Sequence, residues 1–486
     1  AIGASIFASN IGSEHLIGLA GAGASSGMAM AHWEIQGWMI LILGWVFVPF
    51  YTRSMVYTMP EFLERRYNPQ SRTILSVISL VSYVLTKVAV TVYAGGLVFQ
   101  QVFGIKELWG IDFFWIAAIG LVVLTALYTI FGGMKSVLYT SVLQTPILLL
   151  GSLIILVLGF KELGGWDEMM RVCGAVTVND YGDTMTNLIR SNDDANFPWL
   201  GALIGSAIIG FWYWCTDQFI VQRVLSGKNE MEARRGTIFG AYLKLLPVFL
   251  FLIPGMIAFA LLPAGVKGLV VCGILAALMS SLASLFNSSA MLFTIDFYKR
   301  FRPQTSEKKL VGIGQVATVV IVILGILWIP IMRSVGDVLY TYLQDVQSVL
   351  APGIAAAFLL GICWKRTSAQ GGMWGLISGM VIGLTRLGAK VYYSNAGEVA
   401  DSTFKYLFYD MNWLFFCGWM FLFCIIVVIV VSLATEAPTA EKIQGLVFGT
   451  ATKEQKASTR ASWNHWDIIH TVIILAITGA FYWYFW

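Results

Sequence analysis

The sequence predicts an all-α integral membrane protein. Three observations carry that expectation. Apolar residues make up 58% of the chain and charged residues 12%, about half the share of roughly 25% charged residues in soluble globular domains. Apolar runs of the length a helix needs to cross a bilayer, about 20 residues, recur along the whole chain. The lysines and arginines fall mainly on one side of those runs, and they do so alternately.

The runs number thirteen. They cover 1–30, 33–51, 73–103, 110–131, 136–160, 198–222, 237–262, 266–298, 309–332, 336–362, 369–390, 411–434 and 466–486. They are too long for β-strands, and only helices or closed barrels satisfy the backbone in lipid. The loop with Arg53, Arg65, Arg66 and Arg72 is taken as cytoplasmic. The same side then receives Lys135, then Arg223, Lys228, Arg234 and Arg235, then Lys299, Arg300, Arg302, Lys308 and Lys309. It ends with Lys365, Arg366, Lys442, Lys453, Lys456 and Arg460. These are 20 of the 31 basic residues, the asymmetry that the positive-inside rule expects. Lys87 and Lys244 fall inside spans.

The connections are read in the same way. The outer loop 161–197, with Asp167, Asp180, Asp183, Asp193 and Asp194, is expected to be solvated and partly helical. The tail 436–465 is expected to be cytoplasmic, interfacial or flexible. The opening AIGASIFASN reads as the middle of an apolar segment whose preceding residues are absent, and Leu261-Leu262-Pro263 as the place of a short or missing outer loop. The net charge of +4 is too small to imply nucleic acid, and the cysteine spacing suggests neither zinc nor a disulfide framework. HExxH, Walker and GxSxG motifs are absent from the sequence, so neither an enzyme nor an ATP-driven pump is expected.

Two spans five apart are interrupted. The first carries Ser9-Asn10-Ile11-Gly12-Ser13-Glu14-His15, the sixth Trp212-Tyr213-Trp214-Cys215-Thr216-Asp217-Gln218. Paired interruptions of this kind point to a transporter binding site. Ionisable groups inside a membrane face a cavity or the bundle interior. Asn10, Glu14 and His15 stand among glycines that permit unwinding; the alternative is a packed helix with a small-residue face. Glu34 after Trp33 suits sugar hydroxyls, or simply a helix N-terminus. Tyr213 and Trp214 lie away from the interface, where a ring suits the C–H face of a sugar or ordinary packing. Lys244 needs a partner or a wet cavity, unless it snorkels to the cytoplasmic edge. Lys87 has Tyr83 and Thr86 close by in sequence to satisfy it. Ser280, Ser281, Ser284, Asn287 and Ser288 set oxygens on neighbouring turns, enough for a small hard cation or for bonds back to their own helix. Gln344 precedes Pro352-Gly353 and offers both donor and acceptor. Gly375, Gly379 and Gly383 permit close helix packing within or between protomers.

GASIFASNIGSEHLIGLAG, TMPEFLERR, YWCTDQFIVQRVLSGKN, YLKLLP, MSSLASLFNSS and FLLGICWKR together resemble the sodium:solute symporter family, above all its sodium/glucose branch. The resemblance implies a LeuT-like core of two inverted five-helix repeats, helices 1–5 at about 1–160 and 6–10 at about 198–362. Peripheral helices and a cytoplasmic loop would fill 363–486. It implies sodium held by backbone oxygens of Ala8, Ile11 and Ala277 and hydroxyls of Ser280 and Ser281. Sugar would meet Asn10, His15, Glu34, Lys244 and Gln344. Tyr213 would be the inner gate beside Trp214; Leu19, Trp33 and Tyr340 would form the outer lid. Ser141 and Ala283 stand where relatives with a second sodium site carry Asp and a hydroxyl, so one sodium per hexose is expected. The chain would be a multi-pass cell-membrane symporter with a small sugar as partner in the lipid bilayer. Sodium would be its co-transported ion, without an organic cofactor. A polyol such as myo-inositol is the alternative solute, and a sugar sensor or sodium-leak channel the alternative function.

Overall fold

The apolar runs fold as helices, and several of them are interrupted. The computed structural model describes residues 2–12, 14–261, 285–286, 288–335, 339–395 and 400–486. The first span consists of helix Ile2–Asn10, a wide turn Glu14–Leu19 and helix Ala20–Ser26. The second runs from Gly37–Ile42 through Leu43–Phe47 to Val48–Ser54. The third runs from Pro69–Ser82 through Tyr83–Val88 to Ala89–Phe103. The sixth breaks at Asp217, between Trp199–Gly210 with its wide turn Phe211–Thr216 and Gln218–Leu225. The seventh holds Glu230–Leu243 and Ile253–Leu261. Uninterrupted helices Glu307–Val335, Leu339–Cys363, Ala369–Asn395, Trp413–Ala434 and His465–Tyr484 complete the chain. The eighth run is described only from Leu285 onward.

Local chemistry explains where these elements start. Thr58 and Asn68 each accept a backbone N–H three residues on, beside a proline in the first turn. Asn464 and Asp467 form a reciprocal capping box at the head of the last helix. Wide turns inside helices loosen the backbone and occur often at functional sites.

Among the described residues, eight helices are long and apolar enough to cross a membrane. The expected eighth span lies mostly outside the described residues, and the end of the first span and the second count together as one stretch, Ala20–Ser54. The expected turn between the fourth and fifth spans is a correction. Phe113–Leu163 is one continuous helix of 51 residues, about 76 Å of chain and two crossings' worth. Gly132-Gly133 permits a turn but does not impose one, and Pro146 stands inside the helix. Lys135 therefore lies within a helix, not in a cytoplasmic loop. Arg66, Arg223 and Arg234, expected in cytoplasmic loops, are fully buried. Arg66 donates from Nε to the Gly361 carbonyl at 2.7 Å, and Arg234 pairs with Glu230 at 2.8 Å.

Glycines set the closest approaches. A Cβ on Gly379 would lie 2.7 Å from the Gly353 Cα, and Gly383 faces the Val349 carbonyl. The glycine stripe of the eleventh span thus packs inside the protomer, Gly379 and Gly383 against the tenth span and Gly375 against Val428 of the twelfth. Gly3 abuts Gly236, where an added Cβ would sit 2.6 Å from the carbonyl oxygen.

Both long connections are more ordered than expected. The outer loop holds helix Trp166–Gly174, and buries Met169, Cys173, Met185, Leu188, Arg190 and Asp194. It is tied to the first span by the Met28 N–H, which donates to the Met185 carbonyl at 2.8 Å. His32 bonds Tyr482 at 3.0 Å and the Leu188 carbonyl at 3.1 Å. The loop is thus solvated only at residues such as Asp167, Asp180 and Asp193, because its apolar side chains find a surface to cover. The tail is docked too: Phe448 donates to the Ile362 carbonyl at 2.8 Å, and Arg53 to Thr459 at 2.7 Å.

Candidate functional site

The two interrupted spans meet through a hydrogen bond. Asn10 is the last residue of its helix, and its Nδ2 donates to the Tyr213 hydroxyl at 3.2 Å. Lys244, where the seventh span leaves its first helix, reaches the same place. Its Nζ donates to Glu34 Oε2 at 2.6 Å and to Asn10 Oδ1 at 3.1 Å. Snorkelling is therefore excluded. Glu34 ends a short turn, Ala31–Glu34, before the main helix of the second span. Its carboxylate is held by the pairing with Lys244. His15 Nε2 lies 3.6 Å from Glu34 Oε1, while its Nδ1 accepts from the Gly12 N–H at 3.4 Å. That arrangement leaves the proton on Nε2, facing the carboxylate. The Lys244 ammonium also sits 5.3 Å from the centre of the Trp214 ring, within cation–π range.

These groups enclose a cavity of about 50 Å³. Asn10, His15, Glu34, Tyr213, Trp214, Lys244 and Gln344 all line it, so the structure brings together every residue expected to touch solute. Gln344 differs from the rest in one respect. Its amide oxygen is buried and accepts no hydrogen bond among the described residues, where buried polar atoms are normally paired.

Of the expected outer lid, Leu19 is fully buried. Trp33 borders the cavity and stacks on Trp413 with 5.4 Å between ring centres and 24° between planes. Phe197 meets the Trp33 ring edge-on at 6.2 Å. The Tyr340 side chain lies outside the described residues, as do Glu14's side chain and all of Ala277, Ser280 and Ser281. Ala8 and Ile11, the other expected sodium ligands, flank the first break and are buried.

Two groups were given no role at the site by the sequence reading: Lys87, noted there only as a lysine inside a span, and Gln36. Lys87 lines the cavity, and its Nζ meets Asp217 Oδ2 at 2.5 Å. The other carboxylate oxygen of Asp217 accepts from the Tyr83 hydroxyl at 2.5 Å and the Phe219 N–H at 3.1 Å. Asp217 is visible in the sequence as the charged member of the interrupted sixth span, but its partner 130 positions away is not. Gln36 also borders the site, accepting from the Trp214 indole at 3.2 Å and donating to the Ser206 carbonyl at 2.8 Å. A second cavity, of about 870 Å³, opens on the side that the charge pattern makes cytoplasmic; Tyr57, Gln222, Phe286, Lys228 and Lys299 help to line it.

Known proteins share both the sequence and the architecture. Residues 1–263 and 257–379 match the sodium:solute symporter family. The chain belongs to that family. Human sodium/myo-inositol cotransporter 2 is 35% identical, over 92% of this chain and 72% of that protein. Sodium/glucose cotransporter 1 of Ovis aries is 38% identical, over 90% and 72%. Among solved structures, this symporter is similar to a Na+-coupled sialic acid symporter in its substrate-bound outward-open state. The two share 22% identity and a TM-score of 0.70, over 90% of both chains. A nucleobase-cation-symport-1 family transporter in its closed conformation aligns at a TM-score of 0.50 with 14% identity, over 94% of this chain and 95% of that one. At such identities the likeness is one of fold, the LeuT-type fold of this family.

Proposed function

We propose that this family member is a sodium-coupled symporter of a small polyhydroxylated solute, a hexose by its site residues, working by alternating access in the cell membrane. The unpartnered Gln344 oxygen carries the reading. It is a buried acceptor opposite a chain of polar groups that bond one another, and a hydroxyl is the donor that would satisfy it. Asn10, His15, Glu34 and Lys244 supply donors and acceptors of both kinds. A solute with several hydroxyls exchanges partner for partner with them, at little desolvation cost. Tyr213 and Trp214 offer ring faces to its C–H groups. The cavity has room for only a few waters, so a solute of hexose size enters when the walls part. The larger cavity on the cytoplasmic side is the exit.

Sodium belongs at the first break. Ala8 and Ile11 stand at it, where an interrupted helix can turn backbone carbonyls toward a cation, and Ala277, Ser280 and Ser281 complete the set by resemblance. Sodium there orders Asn10 and His15 for the solute, a coupling of about 1–3 kcal/mol. A stoichiometry of one sodium per solute follows from Ser141 and Ala283. The transport core spans residues 1–362.

Myo-inositol is the second reading, favoured by the relatives named for it. Uptake of labelled glucose, galactose and myo-inositol into proteoliposomes, with and without a sodium gradient, tests both. Uptake of any of the three that ignores sodium overturns the symport reading. Inositol outcompeting both hexoses overturns the hexose assignment alone.

A further inference from the structure

Two cavities lie end to end in this protein, separated by a septum about one helical turn thick. Phe219 lines the central cavity and Gln222, three residues on in the same helix, lines the cytoplasmic one. Leu285 and Phe286 divide in the same way on the eighth span. Gln222 donates to Ser288, joining the two sides of the partition. Lys87 sits on the central face of this septum. Its ammonium lies 3.8 Å from the centre of the Phe219 ring, 4.7 Å from that of Tyr213 and 4.9 Å from that of Tyr83. Asp217 holds it from the break in the sixth span and also caps the helix that carries Phe219 and Gln222.

We infer that the Lys87–Asp217 pair is the pin of this septum. It fixes Phe219 and Tyr213 across the path between the cavities, and so keeps sodium from passing without solute. The reasoning is energetic as well as geometric. Burying two charges beside a path is costly, and hydrophobic replacements of similar volume often serve stability as well or better. A pair kept there has work that stability does not explain. The ammonium touches both the carboxylate at the helix break and the rings on either side of it. Lys87 is therefore a positioning residue, acting through Phe219 and Tyr213.

The inference rests on the symport reading, and its test separates the two. Labelled sodium influx into proteoliposomes is measured with and without the driving solute, glucose or myo-inositol. Lys87→Met should raise solute-independent sodium influx roughly tenfold relative to coupled influx, within the range of typical coupling terms. Lys87→Arg should restore the ratio. Should Lys87→Met not fold, Lys87→Met/Asp217→Asn leaves no unpaired buried charge and should leak in the same way. Unchanged sodium-to-solute ratios in Lys87→Met, or in the double variant where the single one is unstable, overturn the pin while leaving symport intact. Wild-type protein that never couples sodium to solute overturns the symport reading itself.

Discussion

Lys244 and Glu34, 210 positions apart in the chain, meet at 2.6 Å with both side chains almost fully buried. The contact joins the seventh span to the second and orients the only carboxylate that lines the central cavity among the described residues. Lys244→Ala should abolish solute uptake and also destabilise the protein by about 3–5 kcal/mol, because it strands Glu34 without its cation. The double variant Lys244→Met/Glu34→Gln should regain most of the stability and none of the uptake. Melting temperatures in detergent beside uptake rates check both halves.

Gln344 should behave in the opposite sense. Gln344→Met removes a buried acceptor that no described group satisfies. Stability should hold or rise slightly, while apparent affinity for the solute falls about 3- to 10-fold, the worth of one net hydrogen bond. Parallel measurement of the melting temperature and the solute KM distinguishes this from general damage, which would lower the first.

Tyr213 combines a ring and a hydroxyl whose contributions separate. Tyr213→Phe keeps the ring near Lys87 and loses the hydroxyl that accepts from Asn10. It should weaken solute affinity by a few-fold, about what 0.5–1.5 kcal/mol gives, and leave sodium-only influx low. Tyr213→Ala should lose uptake and raise sodium-only influx. Paired sodium and solute flux assays read both outcomes.

Sodium dependence should follow Ser281. Ser281→Ala should shift half-maximal sodium activation upward, and charge movement against solute flux should give a ratio near one in the wild type. A ratio of two in reconstituted membranes refutes the single-sodium assignment.

Gly379 offers a purely structural test. Its hydrogen faces the Gly353 backbone, with no room for a Cβ. Gly379→Leu should cost about 1–3 kcal/mol or more by overpacking, seen as a lower melting temperature and poorer yield. Gly21, with open space around it, should accept Ala with little change.

What the sequence revealed depended on how local the signal was. The breaks at Asn10–Gly12 and Asp217 were legible because polar residues and glycines interrupt apolar runs within a few positions. The lining residues followed, since ionisable groups inside a span must face inward. The pairing of Lys87 with Asp217 was not legible: either residue has neighbours in sequence that could satisfy it, and only the fold brings the two spans together. The turn at Gly132-Gly133 failed for a related reason. Glycine permits a turn and a continuous helix alike, so the pair carries no decision. The outer loop is partly helical as expected, but its docking was not legible because its aspartates are conspicuous. Met169, Met185 and Leu188, which tie it down, look unremarkable in a polar stretch.

Trp33 rests on Trp413, and that stacking crosses an architectural boundary. Trp33 lines the central cavity, whereas Trp413 opens the helix Trp413–Ala434 and is not part of that lining. Were Trp33 to move as an outer lid, it would have to part from Trp413, which lies outside the lining of the central cavity. Substitution of Trp413 would then change how readily Trp33 moves without touching the lining of the central cavity.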